Sequence, residues 1–330
     1  MENAVKARLQ SVQFGDAQAY KGITIVPLIG PSDGRFQYNC LGQAISSGDL
    51  VITEVSNAGS VPELLVSNRG VTPVLLIDGE ELAGAKQNRV LNTSILLKES
   101  SETKIPVSCS EQGRWSYASK VFSESGNVMA HKSRSRKTSS VHSSLEASGA
   151  YKSDQGEVWA EIAELQAKAG AHSPTSAMND VFKAREEDLR KCEEIFKPVE
   201  NQIGLLAFLG GDLAGMDLVS QRSAYARLHP KLVRSYTLEG LIEAKQQVLS
   251  QEVITATAKN FMDGILAIEA RQFPSIGHGT DYRFKGQNLA GTALVHEKEV
   301  IHAAFFRLDG SHSADDMAGL RQRRRHFSSQ

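Results

Sequence analysis

The chain has 330 residues, of which 41% are hydrophobic and 23% charged, and its formal net charge is -1. That length can bury a sizeable core, and the near-zero charge gives no global basic field to draw the protein onto nucleic acid. Three widely spaced cysteines, Cys40, Cys109 and Cys192, argue against a disulfide framework and fit a reducing compartment, and without a C-x-x-C pair a cysteine zinc site is not expected.

The first twenty residues lack the apolar core of a signal peptide, and no window approaches eighteen uninterrupted apolar residues. A cytoplasmic protein without a membrane span is therefore expected. From Ile23 to about Val121 the pattern is strand-like. GITIVPLIG, SSGDLVITEVS, VPELLVSNRG, PVLLIDG, RVLNTSILL and SETKIPVSCS are short and β-branched, with Gly, Asn, Ser or Pro between them. No long helix separates them, so the sheet is expected to be mostly antiparallel.

Residues 123–156 then read as a flexible, Ser-rich basic loop, since HKSRSRKTSSVHSSLEASGAYKSDQG is almost empty of large apolar side chains. A sharper reading of the same stretch is a basic lid that closes on an anion. Asp154 is a plausible N-cap for EVWAEIAELQAKAG, which stops at Gly170. Ser173-Pro174 opens another helix, whose Val181, Leu189, Cys192 and Phe196 share a face. GLLAFLGG returns to strand. SAYARLHPKLVRSYTLEGLIEAKQQ reads as a helix interrupted near Pro230, and VITATAKNFMDGILAIEAR as one more. DYRFKG, LAGTALVH and EVIHAAFFRL close the chain as strands, with a turn at Glu297-Lys298; residues 319–330 read as a basic tail. The expected fold is a single α+β domain over 1–330. Its core is one large, mostly antiparallel, sandwich-like sheet, with helices inserted in the second half.

The pattern G-x-x-L-A-G occurs three times, as GEELAG (79–84), GGDLAG (210–215) and GQNLAG (286–291). Each follows a strand candidate, so each is expected to form a hairpin. Only the first continues into a polar run, AKQNRVLN, and hairpin geometry alone does not explain that run.

The chemistry-bearing residues fall in three stretches. In the first, Glu80 and Glu81 precede Lys86, Gln87, Asn88, Arg89 and Asn92. Arg grips phosphate or carboxylate with two N–H groups, amides read sugar hydroxyls, and a carboxylate can activate water. On a strand, Lys86 and Asn88 would point one way and Gln87 and Arg89 the other. The run is either a ligand site or a salt-bridged sheet edge. In the second stretch Glu111, Gln112, Arg114 and Trp115 leave a strand with Tyr117, offering hydrogen bonds and stacking surfaces, while Cys109 reads as a packed thiol. In the third, His278 lies between two glycines with Asp281 and Arg283 just after it, a candidate general base or metal ligand, or equally a loop residue. No H-E-x-x-H, Walker A or G-x-S-x-G motif is present, and no metal ligand set or cofactor is legible. Basic HKSRSRK and RQRRRH leave nucleic-acid binding as a minor reading.

Asp78-Gly79-Glu80-Glu81, Gly84, Lys86-Gln87-Asn88-Arg89 and Asn92 are followed by Pro106-Val107, Cys109, Glu111-Gln112-Gly113 and Arg114-Trp115. In these the chain resembles the ARPP-1 domain, the ADP-ribosylglycohydrolase and rhodanese/phosphatase-superfamily associated protein domain. FLGGDLAGMDL, KLVRSYTLEGL and GHGTDYRFKGQNLAG also look like blocks of that family. The resemblance implies a role in NAD or ADP-ribose metabolism, as an enzyme or as a binding module beside ADP-ribose-processing enzymes, and it carries over no established catalytic residue. The combined expectation is a nucleotide or sugar-phosphate ligand. Glu80, Glu81, Glu111 and His278 are the acid/base candidates. Lys86, Gln87, Asn88, Arg89, Asn92, Gln112, Arg114, Trp115, Asp281 and Arg283 are the ligand-binding candidates.

Overall fold

The computed structural model describes residues 3–31, 36–56, 59, 62–243, 245–247 and 249–308. In chain order, α1 (Asn3–Ser11), β1 (Gln13–Phe14), β2 (Gln18–Tyr20) and β3 (Ile23–Ile29) come first. Next are β4 (Asn39–Cys40), α2 (Leu41–Ser46), β5 (Leu50–Glu54), β6 (Glu63–Asn68), β7 (Val74–Leu76), β8 (Glu80–Gly84), β9 (Arg89–Leu91), β10 (Ile95–Leu97), β11 (Ser101–Cys109) and β12 (Phe122–Val128). Four helices follow: α3 (His131–Ser148), α4 (Gln155–Ala169), α5 (Met178–Ala184) and α6 (Glu186–Ile195). The chain continues with β13 (Gln202–Leu209), β14 (Asp212–Val219), α7 (Arg222–Glu243), α8 (Gln251–Leu266), β15 (Arg271–Pro274), β16 (Thr280–Gly286), β17 (Leu289–His296) and β18 (Glu299–Arg307).

This is an α+β fold whose strand pairs are antiparallel except for β4 with β7. The strands form three sheets rather than the single one expected: nine strands in the order β1-β3-β13-β14-β18-β17-β16-β15 with β2 on β3, six in the order β12-β8-β9-β11-β6-β5, and three in the order β10-β7-β4. One face of the nine-stranded sheet buries Val26, Leu28, Leu206 and Phe305 with Val5 of α1 and Ile254 of α8. The other buries Ile25, Leu205 and Phe306 with Tyr225, Leu232 and Tyr236 of α7. Each fully buried Val, Leu, Ile or Phe contributes about 1.5–3 kcal/mol, so these two faces anchor the molecule. The six-stranded sheet curls until its end strands β5 and β12 touch, enclosing Ile52, Leu64, Val66, Leu82, Leu91 and Val107.

The cap signals locate α4: Asp154 accepts from the N–H groups of Gly156 and Glu157, and Gly170 ends the helix in the left-handed region at φ 63°. The next helix is divided at Arg185 into α5 and α6, with Val181, Leu189, Cys192 and Phe196 buried as expected. Pro230 does not interrupt α7, which runs through it. Glu297 and Lys298 turn with positive φ between β17 and β18.

Two further points depart from expectation. Residues 131–148, within the expected flexible loop, form the buried helix α3, and α1 and α2 also precede the second half of the chain. The physical reason lies in α3 itself. Its inward positions include Arg134, Lys137 and Thr138, whose charges and hydroxyl meet buried acids from other elements instead of apolar surface. The second correction concerns the repeats. GGDLAG and GQNLAG do form the β13–β14 and β16–β17 hairpins, but β7 and β8 do not pair. At GEELAG the chain crosses from the three-stranded to the six-stranded sheet. Gly79, at φ 81°, lies against the Arg134 side chain, where an added Cβ would come within 3.0 Å of Arg134 Cγ. The basic tail at 319–330 lies outside the described residues.

Candidate functional site

The expected site residues separate into distinct groups. The first is the mouth of the curled sheet. Arg89 opens β9 and stands opposite Leu82 of β8 and Cys109 of β11, so it faces the inside of the curl. Its side chain is fully buried. Nη1 donates to Gln87 Oε1 at 2.9 Å, while Nε and Nη2 have no hydrogen-bond partner. The nearest acid is Glu54, at 3.9 Å from Nη2, and Glu54 Oε2 is also unpartnered. Burial pushes the Arg89 pKa below its usual value. Trp115 lies over both cations, its ring centre 5.6 Å from the Arg89 guanidinium and 5.4 Å from Lys86 Nζ, and Tyr117 adds a second ring 5.1 Å from Lys86. Trp115 and Tyr117 are half exposed. Gln87 shares the Arg89 side, as alternation predicts, but residues 85–88 form a turn, so Lys86 joins the same cluster instead of facing away.

Glu54 was not legible as a site residue. The available signal was its phase: Leu50, Ile52 and Glu54 are the buried positions of β5, an acid in step with two apolar side chains.

The second group braces this mouth. Arg114 donates to Glu111 Oε2 at 2.6 Å, to Asn88 Oδ1 at 3.2 Å, and to the carbonyls of Ala85 and Ser116. Glu111 also accepts from Thr175 Oγ1 and the Asn88 N–H. Burial would raise the Glu111 pKa, but Arg114, Thr175 and the Asn88 amide hold it below the usual range. Glu111 and Arg114 thus join the 84–88 turn to the end of β11. The Gln112 carbonyl accepts from Gln87 Nε2 at 3.3 Å. Asn92 is used structurally, donating to the Tyr151 carbonyl and accepting from Ser108 Oγ.

Glu80 and Glu81 diverge, as successive strand residues must. Glu80 accepts from Lys231 Nζ at 2.6 Å and from the Ile77 N–H. Glu81 lies on the opposite face, fully buried, with Ser110 Oγ donating to Oε1 at 2.8 Å and Oε2 unpartnered. Burial pushes Glu81 up to about 7, against the hydrogen bond from Ser110.

A third group is a buried ionic centre around α3. Arg134 grips Asp217 of β14 with two bonds of 2.8 and 3.0 Å, and Lys137 pairs with Asp78. Arg283 pairs with Asp281 at 2.8 Å and donates to Thr93 Oγ1. Burial alone would raise the Asp217 pKa, yet Arg134 and His302 hold it far below the carboxylate range. Ser94 Oγ shares a 2.7 Å hydrogen bond with His302 Nδ1, and His302 Nε2 lies 3.2 Å from Asp217 Oδ1. This resembles a Ser-His-Asp relay. However, Ser94 and its partners are buried, Ser94 Oγ accepts from the Asp78 N–H, and Asp217 is already paired with Arg134. Asp281 and Arg283 therefore belong to the framework, as do the buried cations of HKSRSRK, which are not a nucleic-acid-facing stripe or a lid. His278 stands apart, 3.1 Å from Glu99 and beside Phe36 and His296.

Among the described residues no cluster of three or more His, Cys, Asp or Glu could hold a metal, and no helix is long and apolar enough to cross a membrane. Burial raises the pKa of Cys109, and the three buried cysteines are unpaired.

Fold and site together define an α+β protein with a buried, incompletely paired guanidinium at the mouth of a curled sheet. The chain belongs to the family of the ARG and Rhodanese-Phosphatase-superfamily-associated Protein domain, ARPP-1, which it matches over residues 11–306. No curated protein and no solved structure matches it.

Proposed function

We propose that this protein handles an NAD-derived or ADP-ribose-like nucleotide at the mouth of the curled sheet. The observation that carries the reading is Arg89, a fully buried guanidinium with two nitrogens unpartnered and, unlike Arg283, no acid closer than 3.9 Å. A buried N–H without a partner costs about 1–3 kcal/mol, and a phosphate or carboxylate oxygen would recover that cost with charge-assisted bonds. Trp115 and Tyr117 supply a stacking surface above it, and the free oxygen of Glu54 supplies an acceptor for a ribose hydroxyl.

The same geometry favours binding over turnover. Glu80 is committed to Lys231, Glu111 to Arg114, and Glu81 is sealed from solvent, so of the acids near this region only Glu54 lies beside Arg89 with an open oxygen. On this reading the protein is a nucleotide-binding module that works with partner enzymes of ADP-ribose chemistry.

The test is a thermal-shift panel of ADP-ribose, NAD, AMP and ribose phosphates on wild type, Arg89→Met and Trp115→Ala. A ligand at a hundred times its Kd adds about 2.7 kcal/mol to stability by mass action. The expected result is stabilisation of wild type by a phosphate-bearing ligand, lost in Arg89→Met and reduced in Trp115→Ala, with no product formed. Stabilisation unaffected by either substitution would move the ligand elsewhere. No stabilisation by any of them would remove the nucleotide reading.

A further inference from the structure

A cleft of about 770 Å³ opens between α2 and α7, lined by Asp49, Glu124, Ala226, Arg227 and Lys231 among others. It draws on none of the residues at the Arg89 mouth. Its volume falls within the range that holds a small ligand.

Three features define what it would take. The charges on its walls balance, with two acids (Asp49, Glu124) and two bases (Arg227, Lys231). Lys231 is fixed between Glu80 and Glu124, which take two of its three N–H groups. Burial would lower the Lys231 pKa, but these two carboxylates raise it above its ordinary value, so it stays an ammonium donor rather than a nucleophile. Finally, Pro230 sits inside α7 and has no N–H to give the carbonyl four residues earlier, that of Ala226. Both residues line the cleft, so the carbonyl that lacks its helical donor belongs to a residue of the cleft wall.

Donors and acceptors therefore line the same cleft with no surplus of either charge on its walls. A phosphate or carboxylate would meet Asp49 and Glu124, with Glu80 just behind Lys231. An ammonium would meet Lys231 and Arg227. A hydroxyl suits the surface, since it accepts from Lys231 or Arg227 while donating to Glu124 or the Ala226 carbonyl. We infer that the α2–α7 cleft is a second binding site, for a small neutral polyhydroxyl compound of the sugar class. Glu80 accordingly belongs to this site, as the residue that positions Lys231, and not to the Arg89 mouth.

The experiment is ligand-observed saturation-transfer NMR with ribose, glucose and myo-inositol, and with ribose 5-phosphate as the charged comparator. Proteins are wild type, Ser46→Trp, Arg227→Ala and Trp115→Ala. Ser46 and Arg227 line the cleft and are exposed, so neither substitution disturbs the buried Lys231 pair. The expected result is saturation of at least one neutral polyol and weaker binding of its phosphate. The signal is abolished by Ser46→Trp, weakened about tenfold by losing the charged hydrogen bond in Arg227→Ala, and retained in Trp115→Ala. Should Ser46→Trp fail to fold, Arg227→Ala decides. No signal from any neutral polyol, tighter binding of the phosphate, or a signal indifferent to the cleft substitutions would each overturn the inference. Because Trp115→Ala affects only the Arg89 mouth, failure here leaves the nucleotide reading standing, and the reverse also holds.

Discussion

Two arginines, Arg89 and Arg134, are both fully buried, yet their surroundings differ. Arg134 holds Asp217 with two short bonds, and that pairing overrides burial to raise its pKa. Arg89 has one hydrogen bond, no acid closer than 3.9 Å, and a pKa lowered by burial. Arg134 is held by an acid through both terminal nitrogens, with only Nε unpartnered, while Arg89 has no acid within hydrogen-bond reach. Neither burial of charge nor an unpartnered nitrogen marks a site by itself, since Arg283 also has two unpartnered nitrogens but holds Asp281 at 2.8 Å; what sets Arg89 apart is the lack of an acid closer than 3.9 Å.

The comparison breaks most visibly at Arg134. Arg134→Met strands Asp217 in the interior, and urea unfolding should show a loss of about 3–5 kcal/mol or failure to fold. A smaller loss would mean that water reaches the α3 interface. Next comes Glu81, whose folded-state pKa of about 7 lies above its ordinary 4.5. The folded state then binds more protons than the unfolded state between those values. Its stabilising contribution is full below about pH 4.5 and is lost as pH rises through 7, a change of roughly 3 kcal/mol. Glu81→Gln should remove that slope when stability is measured from pH 4.5 to 8; an unchanged slope would assign it to other groups. Arg89→Met follows, because an apolar side chain replaces a cation with few bonds. Its cost should be at most about 1 kcal/mol in the same assay, well below Arg134→Met, and a larger loss would show Arg89 to be structural. Smallest is Trp115→Ala, exposed enough that stability should change by no more than about 0.5 kcal/mol while the ligand-induced shift in melting falls.

The parts of the fold legible in sequence were those with local signals. Asp154 and Gly170 bracket α4 because capping is written into neighbouring residues. The strands from Ile23 onward follow from β-branched runs between turn residues. Helix α3 was not legible, although its buried Arg134, Lys137, Val141 and Leu145 keep helical spacing. Half of that periodic face is cationic, and its partners Asp217 and Asp78 lie 83 and 59 positions away. No local reading of HKSRSRK shows that those charges are paired. The candidate site was legible in part. Arg89, Lys86, Gln87 and Trp115 come together, whereas Glu80, Asp281, Arg283 and His278 go to other parts of the molecule. The separation follows from strand alternation at Glu80-Glu81 and from the passage of the chain between sheets at Gly79, a place where the same six-residue pattern elsewhere makes a hairpin.

The position of α3 bears on the order in which the molecule assembles. Each of its buried cations is well hydrated in the open chain, and leaving water becomes favourable only once a distant carboxylate is waiting. Asp217 arrives with the nine-stranded sheet and Asp78 with the crossing between the two smaller sheets. We therefore expect α3 to dock late, after both parts of the scaffold have formed. Its amides should accordingly gain protection together and after those of β13 and β14 in pulse-labelled hydrogen exchange. A helix that a hydrophobicity profile would dismiss as a linker then acts as the latch between the nine-stranded sheet and the crossing at Asp78.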